Sequence, residues 1–243
     1  MSTPTTNIRT ALEAASLLEA PEALALLRGC CPDTTVFSTS FGKEDQVLTD
    51  IIHGLGGGIR IFTLDTGRLF PETYSVWTST LERYGLPVAV YVPEQADLEA
   101  FIAGYGPNAF YASPELRQAC CRIRKVQPLK RALAGAEIWI TGIRAVQSPN
   151  RQGMPRWEWD EANGIYKFHP LLDWTDERLE DYVRRHEVPC NMLHERGFPS
   201  IGCAPCTRAV RPGEDARAGR WWWEANDRKE CGLHQHGSAG AGA

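Results

Sequence analysis

Two cysteine units lying far apart constrain this chain most: Cys120-Cys121 and Cys203-Ala204-Pro205-Cys206. Adjacent cysteines are poor disulfide partners for each other, because consecutive Cα atoms lie about 3.8 Å apart and a bridge needs more. The Cys-x-x-Cys unit, preceded by Gly202, has the local spacing that lets two thiolates face one metal centre. A fold that uses all four thiols as one ligand set must bring the two units together. Zinc would take the same four thiolates. Neighbouring ligands fit poorly around one small tetrahedral ion, whereas a multi-iron cluster can take each thiolate at its own iron. Spacing alone leaves both open and leans toward iron–sulfur. Of the remaining cysteines, the vicinal pair Cys30-Cys31 is assigned to packing or chance, and Cys190 to a small buried side chain.

The chain has 243 residues, eight of them cysteine, and begins without a basic segment leading into an apolar run. That start argues against a signal peptide, and no stretch approaches a membrane span. The expectation is a cytoplasmic protein whose thiols bind metal or react. A net charge of -4 makes no global case for nucleic acid or membrane binding. The basic residues are clustered all the same, as Arg117, Arg122, Arg124, Lys125, Lys130 and Arg131, and again as Arg208, Arg211, Arg217, Arg220, Arg228 and Lys229. Local clusters on a mildly acidic protein suit a small anionic substrate.

Periodicity predicts helix over 8–28, broken in two by Pro21, then a strand over 34–38 and a helix over 46–52. Further strands are expected at 59–64, 87–92, 137–141 and 165–170. Helices are expected at 71–84, 95–103 and 115–133, and from the cap at Thr175 through His186. Residues 144–164 read as a long irregular loop, and the tail from 237 onward as low-complexity chain. Strands alternating with helices predict an α/β fold, a mostly parallel sheet with helices on both faces. Ligands of such sheets bind beyond the carboxyl ends of the strands. Three polar stretches lie at that edge: residues 38–45, 64–68 and 142–144. The first, a strand running into a small-residue turn and a helix N-terminus, is an anion site in outline, although an N-capped helix after a core strand explains it as well. It lacks the Gly-Lys-Ser/Thr ending of a Walker A loop, and Lys43 within it could face either phosphate or solvent. Trp221-Trp222-Trp223 reads either as packing of the C-terminal segment or as a lid, with packing favoured for Trp222 and Trp223.

Cys231 has another context. Arg228 and Lys229 before it, with His234 and His236 after it, favour its thiolate. It reads as a nucleophile, as half of a metal site or as an exposed thiol.

In combination these stretches resemble the assimilatory sulfonucleotide reductases of the iron–sulfur type, adenylyl-sulfate (APS) reductases within the APS/PAPS reductase family. The resemblance runs from about Phe37 to His234. It rests on Ser38-Thr39-Ser40-Phe41-Gly42-Lys43-Glu44-Asp45, Leu64-Asp65-Thr66-Gly67-Arg68, Cys120-Cys121-Arg122-Ile123-Arg124-Lys125, Thr141-Gly142-Ile143-Arg144 with Gln147-Ser148, Gly202-Cys203-Ala204-Pro205-Cys206, Arg217-Ala218-Gly219-Arg220-Trp221 and Glu230-Cys231-Gly232-Leu233-His234.

The resemblance implies a fold akin to the PP-loop ATP pyrophosphatases and a 4Fe–4S cluster on Cys120, Cys121, Cys203 and Cys206. It implies that the Cys231 thiolate attacks the sulfur of adenosine 5′-phosphosulfate, and that a thioredoxin- or glutaredoxin-type thiol then releases sulfite. His234 would touch the sulfate or tune Cys231. Arg124, Lys125, Arg151, Arg217 and Arg220 would hold the phosphosulfate. Ser38, Ser40, Phe41, Gly42, Leu64, Asp65, Arg144 and Trp221 complete the expected substrate site. Residues 1–206 would form the nucleotide-binding domain with the cluster cysteines, and 207–243 a mobile C-terminal segment with the catalytic cysteine. The absence of a Ser-Gly-Gly loop argues against ATP chemistry and against an RNA-thiolating relative. Both cysteine pairs together favour APS over its 3′-phosphorylated form, PAPS, while some cluster-bearing relatives take either. A non-catalytic metal-binding protein ranks lower, and a homo-oligomer stays open.

Overall fold

The computed structural model describes residues 4–148 and 151–224. Six strands form one sheet: β1 (Thr35–Thr39), β2 (Arg60–Leu64), β3 (Val88–Tyr91), β4 (Ile138–Ile140), β5 (Trp157–Asp160) and β6 (Ile165–Phe168). Their order across the sheet is β3-β2-β1-β4-β6-β5. All neighbouring pairs are parallel except β5 with β6.

Period-two alternation sends the strand side chains to two cores. Phe37, Ile61 and Ile140 face one core, together with Val47, Leu48, Ile51 and Ile52 of α3 (Lys43–Gly54) and Leu24 of α2 (Ala20–Cys30). Val36, Phe62 and Trp139 face the other, against Leu129 and Ala132 of α7 (Gln127–Ala132). The sheet is therefore covered on both faces, as near-continuously apolar parallel strands require. A third cluster joins α1 (Pro4–Ala15) and α2 to Ile138 and Phe168. The break between those helices falls just before Pro21, as its sequence position predicts. The chain is completed by α4 (Pro71–Tyr84), α5 (Gln95–Tyr105), α6 (Pro114–Cys121) and α8 (Asp176–His186). At the start of α8 the Thr175 hydroxyl accepts a bond from the Arg178 N–H, the expected cap.

Two sequence expectations need correction. Residues 144–164 are not wholly irregular, because Trp157-Glu158-Trp159-Asp160 pairs antiparallel with β6. The turn between these strands carries Asn163-Gly164, with Gly164 at φ 63°, and Asp160 accepts from the N–H groups of Ala162 and Asn163. The helix expected over 115–133 is likewise interrupted. Arg122–Val126 forms a π-helical turn in which the Gln127 N–H reaches the Arg122 carbonyl. Pro128 explains it, since a proline has no N–H for the carbonyl four residues back and its ring crowds that carbonyl. Widening the turn ahead of Pro128 relieves both, and π turns of this kind recur at functional sites.

The direction of connection reverses between β1 and β4. From β1 the chain winds outward through β2 to β3, then returns to the other side of β1 as β4. In open parallel sheets the crevice beyond such a reversal is where ligands bind. The loops there are residues 40–42 and 141–144.

Candidate active site

The loop after β1 is built to expose backbone. Phe41 adopts φ 59°, a left-handed conformation uncommon for a bulky residue, and Gly42 caps α3. Phe41 holds it by burial, stacking on Trp77 with ring centroids 5.1 Å apart, while its N–H donates to Thr39 Oγ1. Asp45 in the first turn of α3 accepts from the Ser40 N–H at 2.6 Å and the Ser40 hydroxyl at 2.7 Å. Burial pushes the Asp45 carboxyl up to about 6 against those two bonds, and Glu44 adds to the rise. Gly142 leaves room for this carboxylate, since a Cβ there would overlap Asp45 Oδ1. Thus the loops after β1 and β4 fit together through one glycine and one acid.

Several expected binding residues are engaged within the protein. Ser38 Oγ accepts from Trp139 Nε1 at 2.8 Å. Asp65 accepts from the Gly67 N–H and the Tyr74 hydroxyl, both at 2.8 Å, directly after Leu64 at the end of β2. Arg144, buried, reaches Glu44, Asp176 and the Trp174 carbonyl. Lys43 pairs with Glu180 of α8. Arg151 donates to Gln147 beside the same crevice.

The loop after β2 links the strand ends to the cysteines. The Thr66 carbonyl accepts from Arg124 at 2.6 Å, its hydroxyl lies 3.4 Å from Cys203 Sγ, and the Arg68 carbonyl accepts from the Ala204 N–H. Cys120, Cys121, Cys203 and Cys206 then line one cavity with Arg68, Phe110, Arg117, Arg124, Lys125 and Pro205. The fold brings both distant cysteine units together. It does so with the end of α6 and the π turn on one side and the 3₁₀ turn Ala204–Cys206 on the other.

Electrostatics divides these thiols. Burial opposes ionisation of Cys203, but Lys125, the Thr66 hydroxyl, Arg220 and Arg124 outweigh it and lower its pKa. Cys206 is pushed up to about 12 by burial and by the neighbouring Cys203 and Cys121. Cys120 is raised by burial, which Arg124 partly offsets. One thiolate is favoured, and its neighbours resist joining it without further positive charge. Among the described residues no group of three or more His, Cys, Asp or Glu side chains is placed to hold one metal ion.

The segment after Cys206 closes the cavity from outside. Thr207 bridges Arg220 as a short antiparallel pair, and the Trp221 N–H donates to the Cys206 carbonyl at 3.1 Å. Trp221 is 1% exposed, with Arg117 and Arg220 guanidinium carbons 4.9 and 4.8 Å from its ring. Here the indole is packing, beneath cations, and Phe110 and Cys206 share its cluster. Arg220 is buried against Gly202, where a Cβ would displace its guanidinium. Arg217 lies on the same segment, three residues earlier. Trp223 packs edge-on to Tyr111 at 4.5 Å, and Trp222 is more exposed. Cys231 and His234 lie outside the described residues.

The sequence motifs contained Thr66 and Arg68 without revealing their part, which is to join the sheet edge to the thiols. Phe110 and Glu224 carried no local signal; the Arg117–Glu224 pair closes across more than a hundred residues.

Fold and site together define an α/β protein whose strand-end crevice adjoins a cation-lined cavity of four thiols. A family model described as the phosphoadenosine phosphosulfate reductase domain matches residues 34–209. An adenosine 5′-phosphosulfate reductase of Allochromatium vinosum is 52% identical over 215 residues, covering 88% of this chain and 84% of its own. One from Burkholderia cepacia is 49% identical over 234 residues, covering 96% and 93%. Among solved structures, a phosphoadenylyl-sulfate (PAPS) reductase from Candida auris, in a phosphate complex, superposes with a TM-score of 0.69 at 25% identity, over 86% of this chain and 99% of that one. The chain belongs to the APS/PAPS reductase family.

Proposed function

We propose that this protein reduces adenosine 5′-phosphosulfate to sulfite and AMP in sulfate assimilation, with a dithiol of the thioredoxin type as electron donor. The observation that carries the reading is that four cysteines, Arg68, Arg117, Arg124 and Lys125 line one cavity, joined through Thr66 to the end of β2, the strand beside β1. The relatives named above supply the substrate. A dithiol donor fits a reducing cytoplasm.

The nucleotide would lie beyond β1 and β4, with backbone N–H groups of residues 40–42 and the start of α3 toward its phosphate. Arg124, Lys125, Arg151, Arg217 and Arg220 would hold the phosphosulfate and stabilise the leaving AMP. The Cys231 thiolate attacks the sulfate sulfur. An S–S bond forms as the bond from sulfur to the AMP oxygen breaks, and AMP carries off the electron pair. The donor's first thiolate then attacks Cys231 Sγ and sulfite departs. Its second thiol resolves the mixed disulfide, regenerating Cys231 and leaving the donor oxidised. His234 is placed by sequence to orient the sulfate or favour the thiolate.

A 4Fe–4S cluster fits the four thiols. They line one cavity, and the cations beside them match the net negative charge of such a thiolate cluster. When bound, it would supply a fixed charge distribution next to the substrate. Anaerobically purified protein should contain iron and acid-labile sulfide in equal amounts, and zinc in their place would exclude it. Sulfite release should be supported by APS with reduced thioredoxin. Turnover of PAPS alone would overturn the substrate and keep the mechanism.

A further inference from the structure

The reaction leaves a second vicinal thiol pair unused, on the opposite end of β1 from the crevice. Cys30 is the last residue of α2 and is exposed, while Cys31 follows it, half-buried against the cluster of α1 and α2. Their sulfurs are 3.2 Å apart. Neither lines the four-thiol cavity.

We propose that Cys30 and Cys31 form a chelating site for a soft trivalent metalloid of the arsenic(III) class, which both sulfurs bind at once. A centre about 2.3 Å from each sulfur would see this pair at about 90°, well below the roughly 109° of tetrahedral zinc. Near-right angles are those of a pyramidal trivalent centre. The alternative use of the pair, a disulfide between adjacent residues, is opposed by Cα atoms only about 3.8 Å apart. It is opposed also by the backbone, because the Cys31 N–H, part of the peptide that joins the two cysteines, donates to the Leu27 carbonyl at 2.9 Å. That anchor fixes the peptide a strained ring would have to twist. Access is open from the Gly29 side, where an added Cβ would meet nothing.

The chemistry needs no thiolate at the outset. Burial and then Cys30 push the Cys31 thiol up to about 12. An oxide or hydroxide of arsenic(III) condenses with neutral thiols. With phenylarsine oxide two As–S bonds form, the As–O bond is lost, and both thiol protons leave in one water. Neither arsenic nor sulfur changes oxidation state, and the phenyl group keeps the third position.

The test is intact-mass analysis of anaerobically purified full-length protein, metal content unaltered, treated with one equivalent of phenylarsine oxide and then peptide-mapped. The expected product is one adduct, of probe mass less one water, spanning Cys30 and Cys31. Excess monothiol should leave it in place and a 1,2-dithiol should remove it. Cys30→Ser and Cys31→Ser should each weaken retention at least tenfold, while Cys190→Ser should not. Because Cys30 is exposed, its variant keeps the fold and decides the matter if Cys31→Ser does not. An adduct mapping to Cys120-Cys121, Cys190 or Cys231, an adduct retained in Cys30→Ser, or stoichiometric zinc uptake by the pair would overturn the proposal.

Discussion

Asp45 shows how one side chain shapes the crevice. Its carboxylate holds the N–H and hydroxyl of Ser40 and fills the space Gly142 leaves. Its pKa, about 6 and raised chiefly by burial, lies above the unfolded value near 3.8. The folded protein thus keeps a proton that the unfolded chain has already released between those values. Stability contributed by this group is present at the acid end and lost as pH rises through 6. Asp45→Asn, which can still accept from Ser40, should therefore flatten the dependence of the urea midpoint on pH between 4 and 6. At pH 7 it should be no less stable, with a gain of at most about 2–3 kcal/mol. A variant that loses stability at pH 7 would show that the charge itself is needed. Lys125 acts on charge differently: it lowers the pKa of Cys203 and lines the thiol cavity. Lys125→Ala should reduce kcat/KM about 10²-fold while leaving iron content and unfolding midpoint unchanged. The two cysteine units were legible as residues because their spacing is chemically unusual. Thr66 and Arg68 were not, since what matters there is a carbonyl and a hydroxyl placed by tertiary contact.

Among the elements, the regular ones could be read from periodicity. Helix α4 ran over the residues expected, and the strand at β2 began one residue later than read. The misses have physical causes. A π turn adds a single residue to a helical circuit, so the apolar pattern across Arg122–Val126 hardly changes; the clue was Pro128. The strand β5 is four residues long, and its evidence was Trp-Glu-Trp-Asp alternation followed by Asn163-Gly164. Close approach, by contrast, has no sequence signal beyond glycine itself. At Gly219 a Cβ would overlap the Arg208 carbonyl oxygen, which cannot swing aside as a side chain could. Gly219→Ala should cost about 2–3 kcal/mol by urea unfolding and loosen the Thr207–Arg220 bridge. Gly202→Ala meets the end of the Arg220 side chain, so it should cost less stability and more activity.

For the whole molecule, the sheet supplies the crevice, and the segment after Cys206 is folded back to cover the thiols. Arg117 of α6 fastens that segment by a buried pair with Glu224, Nε to Oε1 at 2.6 Å, the two side chains being 3% and 10% exposed. Removing one partner of such a pair costs about 3–5 kcal/mol, because the other charge stays buried. Arg117→Ala should accordingly lower the unfolding midpoint and open residues 207–224 to limited proteolysis, and Arg117→Leu with Glu224→Leu should recover much of the loss. Cys231, on which the proposed chemistry depends, follows this segment in the sequence. The most direct measurement is the mass of the intact protein after anaerobic incubation with APS and no reductant, followed by peptide mapping. A single SO₃ adduct on Cys231, discharged as sulfite by reduced thioredoxin, is the predicted result. Iron-replete protein that takes up no adduct from either APS or PAPS would contradict Cys231 as the nucleophile and, with it, the mechanism.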